Sequence, residues 1–239
     1  MKSRPGVYAI ISTYVFVFSV LIGGVILLNR SVTALVEDKD IFKRSCVVID
    51  PGHGGVDGGA TSCRGILESQ INLQISMKLN DLMHFIGLDT VMVRQTDQSI
   101  HTQGSSIAQK KISDLKERVR IVNNQNNALL ISIHQNHYSD SRYYGPQVFY
   151  GKVGESSRFA VLMQNALNES LCPKSNRKAK RADGIYLMDQ IISEGILIEC
   201  GFLSNYEEEA LLRDSNYQKK LCCVITTVCA NYLNSKGIT

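Results

Sequence analysis

Four side chains in this chain combine a reactive type with a telling position: His53, Glu68, His134 and Glu199. Val47, Val48 and Ile49 lead through Asp50 and Pro51 to His53. The run Leu129 to Ile133 ends on His134, and Ile196, Leu197 and Ile198 precede Glu199. Glu68 heads a stretch with helical spacing, 15 residues after His53. Two histidines and a carboxylate form the open three-ligand set of catalytic zinc, with water in the fourth position. Such an ion brings the pKa of its water to about 7, and a further carboxylate is needed to move the proton. Spacing alone leaves open which carboxylate is ligand and which is base. Each residue also has a bland role: Glu68 could complement a helix dipole, and His134 could be a hydrogen-bonded strand end. Glu199 resists that reading, because an unpaired carboxylate after an apolar run is costly. Four such groups converging point to a site.

The elements that must position these groups follow from patterning. The β-branched run Cys46–Asp50 predicts a strand that Pro51 stops, since proline cannot donate to a ladder. Five of the residues 52–59 are glycine, which permits a tight, open loop around His53. The spacing is neither Gly-x-Gly-x-x-Gly nor a loop ending Gly-Lys-Ser/Thr, so a phosphate-binding reading is weak. Apolar residues from Leu67 to Ile86 keep helical spacing, with Gly87 as the stop. Leu88–Arg94 reads as a strand, 95–113 as a polar surface loop, and Asp114–Asn126 as a helix. Strands are expected at Ala128–His134, Val148–Tyr150, Gly184–Met188 and Gly195–Cys200, and helices at Ser156–Leu171 and Asn216–Leu233. A basic loop, 174–181, holds five positive charges and reads either as a contact for acidic partners or as a solvated turn. Alternating strands and helices predict an α/β fold: one three-layer domain with a central twisted, mostly parallel sheet flanked by helices. In such sheets the site lies at the carboxyl ends of the strands, where His53, His134 and Glu199 fall.

The amino terminus differs from the rest. Val7 to Leu28 carries no charge over 22 residues, preceded by Lys2 and Arg4 and followed by Arg30. As a helix it would reach about 33 Å, enough to span a bilayer. It is longer than a secretory core and lacks a small-residue cleavage pattern, so it reads as an uncleaved membrane anchor rather than a signal peptide. The basic flank places the amino terminus inside and the catalytic domain outside the cytoplasm. The division expected is 1–30 membrane anchor or, as the alternative, cleaved signal, 31–45 polar linker and 46–239 catalytic domain, exported in either case. Without residues 1–30, 23 basic residues face 22 acidic ones, so the net charge of +4 does not suggest a nucleic-acid binder. Seven cysteines without Cys-x-x-Cys spacing read mostly as buried free thiols.

The motifs then become specific. Val48 to Gly55, Glu68 heading a helix, Ile131 to Asn136 and Ile196 to Asn205 occur in an order that resembles the zinc-dependent N-acetylmuramoyl-L-alanine amidases, over roughly 46–235. Arg177 to Arg181 followed by Gly184 to Met188, and a single anchored domain, look most like the germination-specific type of spore-forming bacteria. The resemblance implies one zinc ion on His53, Glu68 and His134, with Glu199 as the catalytic carboxylate and Asn136 as a pocket residue. It also implies a peptidoglycan substrate, that of the spore cortex during sporulation, where stripping the stem peptide is the first step toward muramic-δ-lactam. A membrane-side activator protein fits the same picture. His137 departs from the family pattern and reads as a solvated loop residue. The rival readings are a thiol hydrolase using Cys200 and a catalytically weak peptidoglycan-binding protein with the same fold. Side chains alternate along a strand, so if Glu199 faces the site, Cys200 faces away.

Overall fold

The computed structural model describes residues 45–237. The expected anchor and nearly all of the linker lie outside the described residues, and among those described no helix is long and apolar enough to cross a membrane.

The strands are β1 (Cys46–Pro51), β2 (Thr90–Met92), β3 (Ala128–Asn136), β4 (Gln147–Tyr150), β5 (Lys180–Arg181) and β6 (Glu194–Phe202). They form one mixed sheet in the order β2-β1-β3-β6-β4-β5. The first four in that order are parallel; β4 runs antiparallel to β6 and carries β5 parallel to itself at the edge. The helices are α1 (Glu68–Phe85), α2 (Ile107–Asn123), α3 (Ser156–Leu171), α4 (Tyr186–Gln190), α5 (Tyr206–Arg213) and α6 (Ser215–Lys236).

Strand alternation sorts the core into two layers. Val47, Ile49, Leu129, Ile131, Ile133, Ile196 and Ile198 face Ile75 and Leu79 of α1, Phe159 and Met163 of α3, and Ile225 of α6. Val48, Leu130 and Leu197 face the other way, against Val122 of α2 and Leu187 and Met188 of α4. Both faces are covered, which is why these strands read as near-continuous apolar runs.

Several boundaries depart from the sequence reading. α2 starts at Ile107 rather than Asp114, because Ser106 and Gln109 form a reciprocal capping box that satisfies the first turn. Gly184–Met188 is not a strand. Gly184 turns the chain at φ +80, and Tyr186–Gln190 coils into α4 so that Leu187 and Met188 reach the core. α5 was not expected; Asn205 caps it by accepting from the Glu207 and Glu208 amides. β2 is shorter than Leu88–Arg94, covering Thr90–Met92. All seven cysteines are unbridged, with Cys200, Cys222 and Cys229 buried.

Candidate metal centre

β1 and β3 pair in register from Cys46 with Ala128 to Pro51 with Ile133, so their carboxyl ends finish side by side. His53 follows β1 after one glycine, and His134 lies near the end of β3. Their rings stand 5.0 Å apart, edge to face. From the opposite layer, α1 delivers Glu68 at its first residue. Its Oε2 lies 3.3 Å from His53 Nε2 and its Oε1 lies 3.0 Å from His134 Nδ1. One ligand atom from each of the three residues falls within 4.8 Å of the others, a grouping able to hold a cation.

Glu68 is only 3% exposed and its carboxylate is tied on every side. Ala60 N donates to Oε2 at 3.0 Å, while Gln135 N and Asn72 Nδ2 donate to Oε1 at 3.1 and 3.2 Å. Burial alone would raise its pKa; the His134 and His53 imidazoles outweigh burial and hold it well below the usual range. For His53, burial favours the neutral ring, yet Asp57 and Glu68 together lift it to about 9.

Space in the centre depends on two missing side chains. A Cβ on Gly52 would land within the His134 ring, and one on Gly59 would meet Glu68 Oε2 and lie 2.7 Å from His53 Cδ2. His53 itself adopts φ +59, a conformation a non-glycine residue rarely takes. Two buried arginines pin the loop: Arg94 donates to the Pro51 and Gly52 carbonyls, and Arg118 donates to those of Pro51 and His53.

Glu199 is the direct neighbour of His134 across the β3–β6 pair. Its Oε2 is buried and has no hydrogen-bond partner among the described residues. Burial pushes its carboxyl up to about 7; His134 pulls it back while Glu68 pushes the same way. The three liganding candidates with this orphaned oxygen fit a catalytic cation better than a structural one, since a basic group stays free beside an open ligand set. His53, His134 and Glu199 border a cavity of about 260 Å³ walled by Leu115, Ile185, Tyr186, Leu187 and Leu197. A larger open hollow near Arg142 and Arg177, about 550 Å³, contains none of these groups.

Asn136 ends β3 two residues beyond His134, half-buried, and does not border that cavity. His137 is exposed. Cys200 points into the α1–α6 core, and burial raises its thiol well above its ordinary value, so it is no nucleophile for this cavity. Sequence reasoning missed Asp57, whose Oδ2 lies 3.1 Å from His53 Nδ1, and Lys111, 3.1 Å from the same oxygen. The i, i+4 spacing of His53 and Asp57 in a glycine turn was the available signal. It also missed the part of Tyr186 and Leu187, which line the cavity as a helix rather than a strand.

Comparison with known proteins agrees with this geometry. The profile described as N-acetylmuramoyl-L-alanine amidase (Amidase_3) matches residues 47–229. The germination-specific N-acetylmuramoyl-L-alanine amidase of Bacillus subtilis (strain 168) is 37% identical over 193 residues, 80% of this chain and 81% of that protein. The CwlD amidase of Clostridioides difficile, solved in complex with the GerS lipoprotein, superposes with a TM-score of 0.75 at 36% identity, over 79% of this chain and 98% of that one. An N-acetylmuramoyl-L-alanine amidase of Clostridium difficile 630 gives 0.70 at 28% identity, over 80% of this chain and 98% of that one. With a matched profile spanning all four site residues and a relative of this identity and coverage, the chain belongs to the N-acetylmuramoyl-L-alanine amidase family.

Proposed function

We propose that this chain is a zinc-dependent amidase that cuts the bond between the lactyl group of N-acetylmuramic acid and L-alanine in spore cortex peptidoglycan. The observation that carries the reading is the His53–Glu68–His134 cluster beside the unpartnered Glu199 Oε2. His53, Glu68 and His134 would hold the ion, which when bound supplies a Lewis acid that polarises the carbonyl and acidifies the attacking water. Glu199 takes a proton from that water and delivers it to the departing alanine nitrogen as the C–N bond breaks. The products are a free lactyl carboxylate and a peptide with a free amino terminus. Asn136, two residues beyond His134 at the end of β3, belongs to this reading as a substrate contact.

The cortex assignment is supported by the 37% identity to a germination-specific relative. The same proposal places residues 1–30 in the membrane, 31–45 as tether and 46–239 outside the cytoplasm. A lipoprotein partner at that membrane is part of it, supported by the GerS complex of the similar CwlD amidase.

Stripping the protein with a chelator should abolish activity, and about one equivalent of zinc should restore it. Mass spectrometry of a cortex digest should show glycan freed of peptide and peptides beginning with L-alanine. Full activity in metal-depleted protein, or cuts elsewhere in the polymer, would defeat the reading; binding without any product would favour the weak-binder alternative. Gly52→Ala should weaken zinc binding on the order of 10-fold or more by displacing the His134 ring, read by chelator competition.

A further inference from the structure

One side of α2 is turned toward the His53 loop. Lys111, Asp114 and Arg118 fall at i, i+3 and i+7, which is a single helical face. Arg118 Nη2 donates to the His53 carbonyl at 2.6 Å, and Nη1 donates to the Pro51 carbonyl at 2.9 Å and to Asp50. Its Nε donates to Asp114 Oδ2 at 2.6 Å, which fixes the plane of the guanidinium. Asp114 is fixed in turn, its Oδ1 accepting from Ile100 N at 2.7 Å and Ser99 Oγ at 2.8 Å. Two turns before Arg118, Lys111 Nζ stands 3.1 Å from Asp57 Oδ2, the oxygen that meets His53 Nδ1. His53 is thus held at its backbone carbonyl and at the ring nitrogen that points away from Glu68. A residue at φ +59 persists where its surroundings over-determine it, and these contacts do so.

We propose that this face of α2 is a positioning device for His53. Arg118 sets the backbone, and Asp57 braced by Lys111 sets the ring, so that Nε2 stays aimed at Glu68 and His134. The inference rests on the metal reading above. A carboxylate on the far nitrogen of a liganding histidine fixes the ring and raises its basicity, which strengthens its hold on a cation.

The test is zinc affinity of the full-length chain, by chelator competition, together with the thermal midpoint of the metal-free protein. Arg118 is too deeply built into the domain to be the informative variant, so Asp57 and Lys111 carry the experiment. Asp57→Ala should weaken zinc binding by about 10- to 100-fold. Asp57→Asn, which keeps an acceptor oxygen for His53, should recover part of that loss. Lys111→Met should fall several-fold, about midway on a logarithmic scale between wild type and Asp57→Ala. Lys111 is 51% exposed and its loss should leave the metal-free midpoint within about 2 °C of wild type, while loss of Asp57, 27% exposed and paired with His53, should lower it by no more than a few degrees. His134→Ala serves as the reference that must lose zinc. If it keeps zinc, the ligand set is wrong and the proposal falls with it. Lost zinc in His134→Ala with unchanged affinity in Asp57→Ala overturns the positioning role alone. Weaker zinc binding in Asp57→Ala that comes with a collapsed metal-free midpoint also overturns it, since Asp57 would then be scaffold.

Discussion

Replacing Glu199 with glutamine is expected to lower amide hydrolysis by about 10²- to 10⁴-fold while zinc stays bound. Glutamine keeps the volume at the end of β6 but cannot accept the water proton. Glu199 is not among the three residues whose ligand atoms cluster, so metal content should be unchanged. A second signature follows from the unpartnered oxygen. The folded carboxyl titrates near 7 in the metal-free protein, above its ordinary value of 4.5. A native state that binds more protons than the unfolded state loses stability as pH rises between those values. Metal-free Glu199→Gln escapes that loss. It should melt above metal-free wild type at pH 8, and the gap should close as pH falls toward 4.5. A variant that loses activity but gains stability has the profile of a strained functional group. Near-full turnover in Glu199→Gln would remove the residue from the proton-transfer role. Equal melting of the two proteins at pH 8 would mean that the carboxyl is better solvated than its burial implies.

How much of this was legible in the sequence depended on apolar contrast. His53, His134 and Glu199 stood out because each ends a β-branched or leucine-rich run, and buried parallel strands are written in that form. Glu68 was legible because it opens a helix with a clear stripe, Ile71, Ile75 and Leu79. The first turns of α2 were not, since Gln109, Lys110 and Lys111 are polar and the stripe begins later; only the Ser106–Gln109 cap marked the true start. That boundary error hid Lys111, and with it the partner of Asp57. α5 has no stripe at all, burying Glu209 and Leu212, and its start is written in the Asn205 cap. Residues 184–188 were ambiguous in kind, because a short apolar run does not distinguish strand from helix. Its helical form sets Tyr186 and Leu187 against the cavity, so the misread element is also one that shapes the site. The pairing of β4 against the grain of β6 was equally hidden, since four residues carry no sign of direction.

Arg118→Met should destabilise the domain by about 3–5 kcal/mol, because it leaves buried charge without its partner. Arg118 is 2% exposed and its fork serves Asp50, Asp114 and two loop carbonyls at once. Methionine fills much of the volume but supplies no donor. Asp50, 1% exposed, would keep only the Ser132 hydroxyl at 2.6 Å. In the wild type, burial works to raise the Asp50 carboxyl, but Arg118 and Ser132 outweigh it and hold the pKa below its ordinary value. A depressed folded pKa contributes stability that is present above the unfolded value of about 3.9 and lost as pH falls through the folded one. Without Arg118, burial is no longer opposed by the guanidinium, so Asp50 takes up a proton more readily in the folded state. The deficit of Arg118→Met should therefore be largest near neutral pH and shrink toward pH 4. Urea unfolding of the two proteins at pH 7 and pH 4.5 reads this directly as a shift in midpoint at constant slope. A deficit below about 1 kcal/mol at pH 7 would mean that Asp50 finds water or another donor, and that the His53 loop does not depend on this arginine. A deficit that does not change with pH would instead place the loss in the carbonyl contacts of the loop, with Asp50 a bystander.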